Sequence, residues 1–270
     1  MFRHINSSVL RGASHRAVFI SVLLLSLPFV SISAPVRSNL GGNGAENVPE
    51  QDYTIDDYVQ DGLVAMWDGE FNAIAPDGEW FHDSTAPEWS DLVGGIDLTV
   101  YKTWSDKSLF CDGAYSMAIF SQPSPIANFQ TVEVCFKTES EDLQFVYLDC
   151  GRRTCIGCYG TSVGVGLRQG MLLDYSSIDR NLTICSVYAG TSPTDNTSIL
   201  SCANGMPLYR KGIGNWASPT GWYSVTIGSA YHSTTSCFKG HVYCIRMYSR
   251  ALSIPEIYHN NEVDKARFGL

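Results

Sequence analysis

The sequence predicts an all-β protein in which two antiparallel sheets pack as a jelly-roll sandwich, followed by one short C-terminal helix. Apolar segments of strand length recur along the chain, and turn residues separate them. Many short strands at such intervals are typical of a sandwich or jelly roll rather than of an α/β fold. A helix-start signal stands out only near the C terminus, which limits the expected helix to that end.

The predicted strands have the lengths of ordinary β-strands, with glycines or other turn residues between them. They cover residues 62–67, 97–101, 107–111, 115–121, 130–138, 143–149, 154–159, 162–168, 171–175, 181–189, 198–203, 223–229 and 238–248. Asn204-Gly205 is predicted to form a hairpin turn, because both residues tolerate a positive φ. Residues 68–96 mix acids with aromatics and are predicted to form a long loop, which in a compact domain is usually functional or structured.

The C-terminal helix is predicted from its first turn. Ser253 and Glu256 have the spacing of a capping box, in which each side chain satisfies an orphan backbone amide. Apolar residues then follow on one helical face, at Ile254, Ile257 and Tyr258. We therefore expect helix near residues 253–266.

The N-terminal segment has the pattern of a signal peptide. Arginines at positions 3, 11 and 16 precede an apolar run over residues 17–30, which is short for a membrane span. Small residues follow, and we place the cleavage after Ser33. The alternative is an uncleaved membrane anchor. Residues 1–33 are thus predicted to direct export, so that the mature protein is extracytoplasmic.

The rest of the chain is predicted to be an arm followed by one domain. Residues 34–61 are interpreted as a linker or flexible arm because the first part has few large apolar side chains. Within this segment, residues 53–59 favour a short helix or an approach to the domain. Residues 62–270 are predicted to form a single β domain, since this length buries a sizeable core.

The charge balance disfavours nucleic acid as the main partner. The chain has 18 basic and 27 acidic residues, and three of the basic ones but no acid lie in residues 1–33. Cleavage therefore leaves 15 basic and 27 acidic residues, a net charge of −12. A protein this acidic repels polyanions. No second apolar run follows residues 17–30, so no membrane span is predicted in the mature chain.

The order of several segments resembles that of the bacterial laminin-G-like domains of the concanavalin A-like superfamily. Residues 63–68 look like their first strand, Asp112-Gly113 like a step after a core strand, and Asn204-Gly205 like their hairpin. The most similar segment runs from Phe238 to Glu256. The resemblance implies a jelly roll that mostly binds and seldom catalyses.

Family members often carry acidic residues where this chain has Tyr243 and Cys244. The role of those acids is therefore not carried over to this chain.

A turn-rich aromatic segment is the candidate ligand site. Trp216 and Trp222 flank it, and Tyr231-His232 follows. Exposed rings offer sugars a flat apolar surface, and polar loop atoms orient the hydroxyl groups. The alternative is that the Trp rings close the end of the sandwich core, where Trp side chains commonly lie.

Carboxylates in the predicted long loop are candidate ligands of a structural calcium ion. Asp83 and Asp91 are the chosen residues, with Glu88 and Asp97 nearby. Calcium takes several hard oxygen ligands, which a loop of this composition can supply. The alternative is a solvated acidic surface.

Nine cysteines make disulfides an option in an exported chain, although buried thiols explain several of them equally well. Cys150, Cys155 and Cys158 have the spacing of an iron–sulfur or zinc site. The same residues also fit a β-hairpin, in which Cys155 and Cys158 point to opposite faces. An oxidising compartment favours the hairpin over a cluster.

No pattern in the sequence indicates catalysis. Glycosidases need two carboxylates on one face, and the nearest acidic cluster, Glu139 to Asp142, lies at a strand end. No Gly-x-Ser-x-Gly motif is present. We therefore expect a non-catalytic binding module for glycans or glycoproteins. The alternative is a structural or adhesive surface protein that contacts other proteins, and a glycoside hydrolase is the least favoured option.

Overall fold

The computed structural model describes residues 53–101, 103–114, 118–120, 130–141, 144–149, 154–159, 162–167, 170–176, 181–189, 198–212, 225–228 and 237–270. The predicted signal peptide and most of the predicted linker lie outside these residues. No helix in the described part of the chain combines the length and the apolar composition that a membrane span requires.

The described elements are a 3₁₀ helix (Ile55–Asp57), a series of strands and one α-helix. The strands are β1 (Leu63–Asp68), β2 (Ala73–Ile74), β3 (Trp80–Phe81), β4 (Glu88–Trp89), β5 (Leu98–Val100), β6 (Thr103–Ser105), β7 (Ser108–Asp112), β8 (Ala118–Phe120), β9 (Thr131–Thr138), β10 (Gln144–Asp149), β11 (Thr154–Tyr159), β12 (Ser162–Leu167), β13 (Gly170–Ser176), β14 (Asn181–Ala189), β15 (Ser198–Ala203), β16 (Met206–Gly212), β17 (Val225–Ile227) and β18 (Lys239–Tyr248). The helix is α1 (Ile254–Phe268).

The described strands pair into two large antiparallel sheets and one small hairpin. The first sheet has the order β16-β15-β14-β9-β18-β7-β6, and β1 also pairs with β18. The second sheet has the order β13-β12-β11-β10-β17-β8-β5-β4, and β2 pairs with β3. Strand β18 is central to the first sheet, because β9 lies along one of its edges while β7 and β1 share the other.

The main core lies between the two large sheets. Val134 and Phe136 of β9 and Ile245 of β18 join one buried cluster with Leu98 and Ile227 of the second sheet. The aromatic rings in this cluster pack edge to face, for example Trp89 against Trp104 with ring centroids 5.5 Å apart. Burial of this apolar surface is the main term that holds the sandwich together.

Helix α1 covers the outer face of the first sheet, opposite the main core. Two smaller apolar clusters lie beneath it. One contains Tyr248 and Ile257, and the other contains Met66 and Val263. The helix also covers a buried group of polar and charged side chains, which we call the charged layer. Its members are Tyr58, Asp68, Glu133, Arg246, Asn260, Asp264 and Arg267.

Arg246 is the centre of the charged layer. Its Nη1 and Nη2 atoms donate to the two carboxylate oxygens of Asp264 on α1, at 2.6 and 2.7 Å. Its Nε donates to Glu133 on β9 at 2.9 Å. Both ion pairs have fully buried side chains. A buried guanidinium is tolerated because carboxylates surround it with this bidentate geometry.

Arg267 makes the corresponding contacts near the C-terminal end of α1. Its guanidinium donates to both oxygens of Asp68 on β1, at 2.6 and 3.1 Å, and to Tyr58 at 3.0 Å. The Tyr58 hydroxyl donates in turn to Asp264 at 2.8 Å. Tyr58 lies within the segment 34–61 that the sequence suggested as a linker, but its side chain is buried in the charged layer.

Burial and ion pairing shift the pKa values of these groups in opposite directions. Burial raises the pKa of Glu133 and of Asp68 above their usual values, and the neighbouring arginines offset part of the increase. The pKa of Arg246 is held well above its usual value, because the attraction of its carboxylate partners outweighs the effect of burial. Arg246 therefore stays charged, and its buried charge depends on those carboxylate partners for stabilisation.

The first turn of α1 has the predicted capping box. The Glu256 carboxylate accepts hydrogen bonds from the Ser253 amide at 2.8 Å and from two nitrogens of Arg250, at 2.6 and 3.1 Å. The Arg250 hydrogen bonds hold the pKa of Glu256 down to about 2. Arg250 also pairs with Asp61 at 2.8 Å, which joins the start of the helix to the residues before β1.

The structure confirms the predicted fold class. The described chain is an all-β sandwich of antiparallel sheets with one C-terminal helix, which spans residues 254–268 against the predicted 253–266. Asn204 and Gly205 form the predicted turn between β15 and β16, with φ values of 50° and 75°. The segment predicted as a long loop, 68–96, contains the short strands β2, β3 and β4.

Replacing Asp264 by Ala is expected to lower the free energy of unfolding by about 3–5 kcal/mol, because the buried Arg246 charge loses its bidentate partner. The measurement is urea denaturation of the variant beside the wild type. Glu262→Ala is the matched control, since Glu262 lies on the exposed side of the same helix and its replacement should cost no more than about 0.5 kcal/mol. Equal losses for the two variants would contradict this account of the charged layer.

The Glu256 pKa predicts a pH dependence of stability. The folded pKa of about 2 lies below the ordinary value of 4.5, so the ionised carboxylate stabilises the fold above pH 4.5. This contribution is lost as the pH falls from 4.5 towards 2. For a partly exposed ion pair we expect about 1 kcal/mol. The difference in unfolding free energy between wild type and Glu256→Gln should shrink over this range. A difference that stays constant would rule out the ion pair as its source.

Candidate functional site

Four partly exposed rings lie side by side on the outer face of the first sheet, next to the C-terminal end of α1. They are Phe110 of β7, His241 and Tyr243 of β18, and Phe268 of α1. We call this group the aromatic strip. It is the largest continuous arrangement of aromatic rings on the surface of the described residues.

The rings of the aromatic strip contact one another in sequence. The ring centroids of Phe110 and His241 are 5.1 Å apart, and those of His241 and Tyr243 are 6.2 Å apart. Tyr243 stacks on Phe268 at 4.9 Å with an angle of 24° between the ring planes. The guanidinium of Arg267 lies 4.8 Å from the Phe268 ring centre, so the strip ends against the charged layer.

A β-bulge places Tyr243 in the strip. The register of β18 against β9 shifts between Val242 and Cys244. Two consecutive residues therefore face α1: Tyr243 stacks on Phe268, and the Cys244 thiol lies 3.4 Å from Asp264. A bulge re-aims side chains in this way because two residues on one strand oppose one on its partner.

Polar groups border the strip around His241. Its Nδ1 atom lies 2.8 Å from the hydroxyl of Ser108, and its Nε2 atom lies 3.5 Å from the carboxylate of Glu139. Lys137, the cross-strand partner of His241, is exposed. Burial raises the pKa of Tyr243, so that its hydroxyl stays a neutral hydrogen-bonding group at physiological pH.

The Ser108, His241 and Glu139 contacts have the composition of a hydrolytic triad but not its accessibility. Ser108 is fully buried, and its hydroxyl also contacts the hydroxyl of Ser105. A nucleophile must reach the substrate carbonyl or an equivalent atom. The buried Ser108 hydroxyl instead fixes the orientation of the His241 ring at the surface.

The aromatic strip combines the two properties of a ligand-binding surface. Its rings supply apolar carbon, and Glu139, His241 and Tyr243 supply a few hydrogen-bonding groups beside it. Ligand sites typically pair apolar lining with a small number of placed polar groups, and tyrosine is well suited to this because it has both characters. The arrangement can therefore bind a ligand that has an apolar face and hydroxyl groups.

One group of described residues has the composition of a metal site. The ligand atoms of Cys135, Cys244 and Asp264 lie within 4.8 Å of one another, and all three residues are buried. Both oxygens of Asp264 already accept hydrogen bonds from Arg246, whose Nη1 also lies 3.0 Å from the Cys244 sulfur. A metal ion here would face this guanidinium charge, so the ion pair fits the geometry better.

The ligand site predicted from the sequence lies outside the described residues. This applies to Trp216, Trp222, Tyr231 and His232. Their assignment to a sugar-binding surface stays a prediction.

The predicted calcium ligands have roles in the structure of their own loop. Buried Asp91 accepts hydrogen bonds from the amides of Met66, Val93 and Ile96, at 2.9 to 3.2 Å. Asp83 accepts from the amide and the hydroxyl of Thr85, at 2.8 and 2.7 Å. These bonds account for both carboxylates without an ion, and calcium binding stays a prediction.

The cysteine spacing near residue 150 belongs to a hairpin. Strands β10 and β11 pair antiparallel, with Leu148 opposite Cys155 and Gln144 opposite Cys158. This is the backbone arrangement that the sequence offered as the alternative to a metal cluster. Cys150 lies outside the described residues.

The aromatic strip is not among the sites predicted from the sequence. One part of the strip could have been found, because His241 and Tyr243 lie two positions apart in a predicted strand and side chains at that spacing point to the same face of a sheet. Phe110 and Phe268 come from other elements, and their positions depend on strand pairing and on the docking of α1. Only the register of β7 against β18 shows that Phe110 lies opposite His241.

Comparison with protein-family models and with curated proteins finds no match for this chain. Solved structures do match. The sialidase of Trypanosoma rangeli in complex with sialic acid aligns with a TM-score of 0.55 at 15% sequence identity. The alignment covers 74% of this chain and 32% of the sialidase, so this chain spans about a third of the sialidase's length. At this identity the likeness shows a shared β-sandwich fold alone.

Two further structures align less well. The heptameric SAP-like pentraxin of Limulus polyphemus has a TM-score of 0.45 at 14% identity, covering 55% of this chain and 78% of the pentraxin. Domain 4 of an extracellular arabinanase from Geobacillus stearothermophilus, in complex with arabinotriose, has a TM-score of 0.47 at 14% identity, covering 74% of this chain and 98% of that domain. Neither supports an inference about this chain.

Replacing Asp91 by Ala is expected to lower the free energy of unfolding by about 2–4 kcal/mol, because several buried amides lose their acceptor. Asp83→Ala is the matched control from the same loop, and because the hydrogen bonds of Asp83 are exposed, its variant should be clearly less destabilised than Asp91→Ala. Both variants are measured by urea denaturation. Two variants of equal stability would show that Asp91 does not hold the loop.

Proposed function

We propose that this protein is a non-catalytic extracytoplasmic module that binds glycans or glycoproteins. The observation that carries the proposal is the aromatic strip, a partly exposed row of four rings with hydrogen-bonding groups along its border. Sugar rings have an apolar face and polar edges, which suits a surface of this kind. The β-sandwich holds the strip on adjacent strands, so its shape is set before the ligand arrives.

The laminin-G-like class is the finer part of the proposal. It is supported by the order of sequence segments on an all-β sandwich, above all by the segment Phe238 to Glu256. This segment forms β18 and the start of α1. The class mostly binds and seldom catalyses, which is the analogy on which the binding role rests.

The positions of the buried acids support a non-catalytic role. Glycoside hydrolysis needs two carboxylates that face one substrate. In the described part of the chain, Asp68, Glu133 and Asp264 are buried and paired with arginines. The partly exposed Glu139 is occupied with His241. The ion pairs with arginine therefore account for Asp68, Glu133 and Asp264, and the position of Glu139 beside the aromatic strip fits a role in binding.

Sialylated glycans are the first ligands to test. Sialidase structures that share this fold hold sialic acid or an analogue of it. This shared fold is the reason to choose sialylated glycans as the first class of ligand to test. Lys137 beside His241 is a positive group that an anionic sugar can approach. The same proposal includes the predicted Trp216–Trp222 segment as a second contact region. It also includes the predicted calcium ion as a cofactor.

A second candidate is an adhesive protein that contacts other proteins. The β2–β3 hairpin exposes large apolar side chains, with Ile74 at 50% and Phe81 at 40% of their full exposure. Exposed apolar groups that lie close together are typical of protein interaction surfaces. Under this hypothesis the hairpin, rather than the aromatic strip, is the contact region.

Binding of the full chain to an array of neutral and sialylated glycans, with and without calcium, tests the proposal. Tyr243→Ala is expected to weaken glycan binding by about 1–3 kcal/mol, or roughly 5-fold to 150-fold, because a stacking ring and a hydroxyl are lost. Tyr101→Ala is the matched control, since Tyr101 is 59% exposed and lies after β5 in the other sheet. Its variant should bind like the wild type.

Melting temperatures measured on the same samples separate binding from stability. A loss of binding in Tyr243→Ala at an unchanged melting temperature supports the strip. Normal binding by Tyr243→Ala, with losses for Trp216→Ala or Trp222→Ala, would move the site to the predicted loop. The adhesive role would be favoured by a different result. In that case the full chain gives no glycan signal but captures a protein, and the Phe81→Ala variant does not retain that protein.

A further inference from the structure

We propose that Cys135 and Cys244 form a disulfide that joins β9 to β18 beneath helix α1. The two residues are paired in the antiparallel register of these strands, at the position where regular pairing resumes after the bulge between Val242 and Cys244. Their sulfur atoms lie within 4.8 Å of each other, and both side chains are fully buried on the outer face of the first sheet. The sequence alone left the pairing of the nine cysteines open.

The backbone geometry suits such a bond. Directly opposite residues on antiparallel strands have Cα atoms about 4.5–5.5 Å apart, and disulfides span about 4.4–6.8 Å between Cα atoms. The side chains of such a pair lie on the same face of the sheet. The two sulfurs can therefore approach bonding distance through side-chain rotation and a small local adjustment.

The surrounding charges favour a disulfide over a metal ion. Two thiolates and Asp264 could in principle coordinate a cation, but Asp264 is held by both ends of the Arg246 guanidinium. That guanidinium also contacts the Cys244 sulfur at 3.0 Å. A neutral disulfide places no additional cation beside Arg246, and the ion pair with Asp264 remains intact.

The bond must form before α1 docks, because the helix buries both sulfurs. The oxidant is a disulfide-bearing donor, either a small molecule or an oxidoreductase. The Cys135 thiolate attacks one donor sulfur, which forms a mixed disulfide and releases one donor thiol. Cys244 then attacks the Cys135 sulfur and releases the second donor thiol. The protein loses two electrons and two protons, and the donor disulfide is reduced to two thiols.

Peptide mapping of the full chain, refolded with oxidised and reduced glutathione, tests the pairing. After unfolding, remaining thiols are alkylated without reductant, and the chain is cut with trypsin and endoproteinase Asp-N. Cutting before Asp112 separates Cys111 from Cys135, and the peptides 112–137 and 240–246 then carry one cysteine each. We expect these two peptides as one linked species that reductant separates.

Thermal unfolding provides the second readout. Reductant should lower the melting temperature of the wild type by on the order of 5–10 °C. The decrease should be clearly smaller for the double variant Cys135→Ala, Cys244→Ala, because the proposed bond is absent from it. Cys111→Ala is the matched control, because Cys111 is buried in the main core on the other face of the sheet and its variant should keep the wild-type response.

Several outcomes would overturn the proposal. One is complete alkylation of Cys135 and Cys244 without reductant. Another is a linked peptide that joins either residue to a different cysteine. A third is a stoichiometric amount of zinc, measured by elemental analysis, that the double variant loses, because the thiols would then be metal ligands.

Discussion

The bidentate ion pair between Arg246 and Asp264 is the interaction on which the outer layer of the molecule depends. Of the six buried residues of α1, only Ile257 and Val263 are apolar. The helix is therefore held to the sheet largely by polar contacts. A buried guanidinium is costly without partners, so Arg246 requires Asp264 from the helix as well as Glu133 from β9. This requirement sets where α1 lies, and thereby brings Phe268 against Tyr243.

The bulge in β18 gives one strand two functions. Before the shift, His241 points to the open part of the outer face, beside Phe110. After it, Arg246 points under the helix and pairs with Asp264. Tyr243 lies at the boundary and contacts Phe268, so the exposed rings and the buried charges are adjacent. The aromatic strip is rigid because its last ring belongs to a helix that the charged layer fixes in place.

Local signals in the sequence were sufficient for the fold class but not for the site. The capping box at Ser253 and the Asn204-Gly205 turn act over a few residues, so their structures could be predicted. The partners of Arg246 are distant in sequence, and their identity depends on strand register. Trp89 illustrates the same limit: it lies in a polar segment that suggested a loop, but its ring is buried and its indole nitrogen donates to the Asp68 carbonyl at 2.9 Å. The aromatic strip needs three elements to assemble, and no single segment encodes it.

One register accounts for the charged layer and the thiol pair together. Along β9 and β18, Glu133 lies opposite Arg246, and Cys135 lies opposite Cys244. A slip of one residue would turn both pairs toward the apolar core, because side chains alternate between the two faces of a sheet. The buried ion pair therefore opposes misregistration, which is a role that well-packed apolar residues fill less specifically. A bond between the two sulfurs would make the same register covalent, and it would do so directly beneath the helix that completes the binding surface.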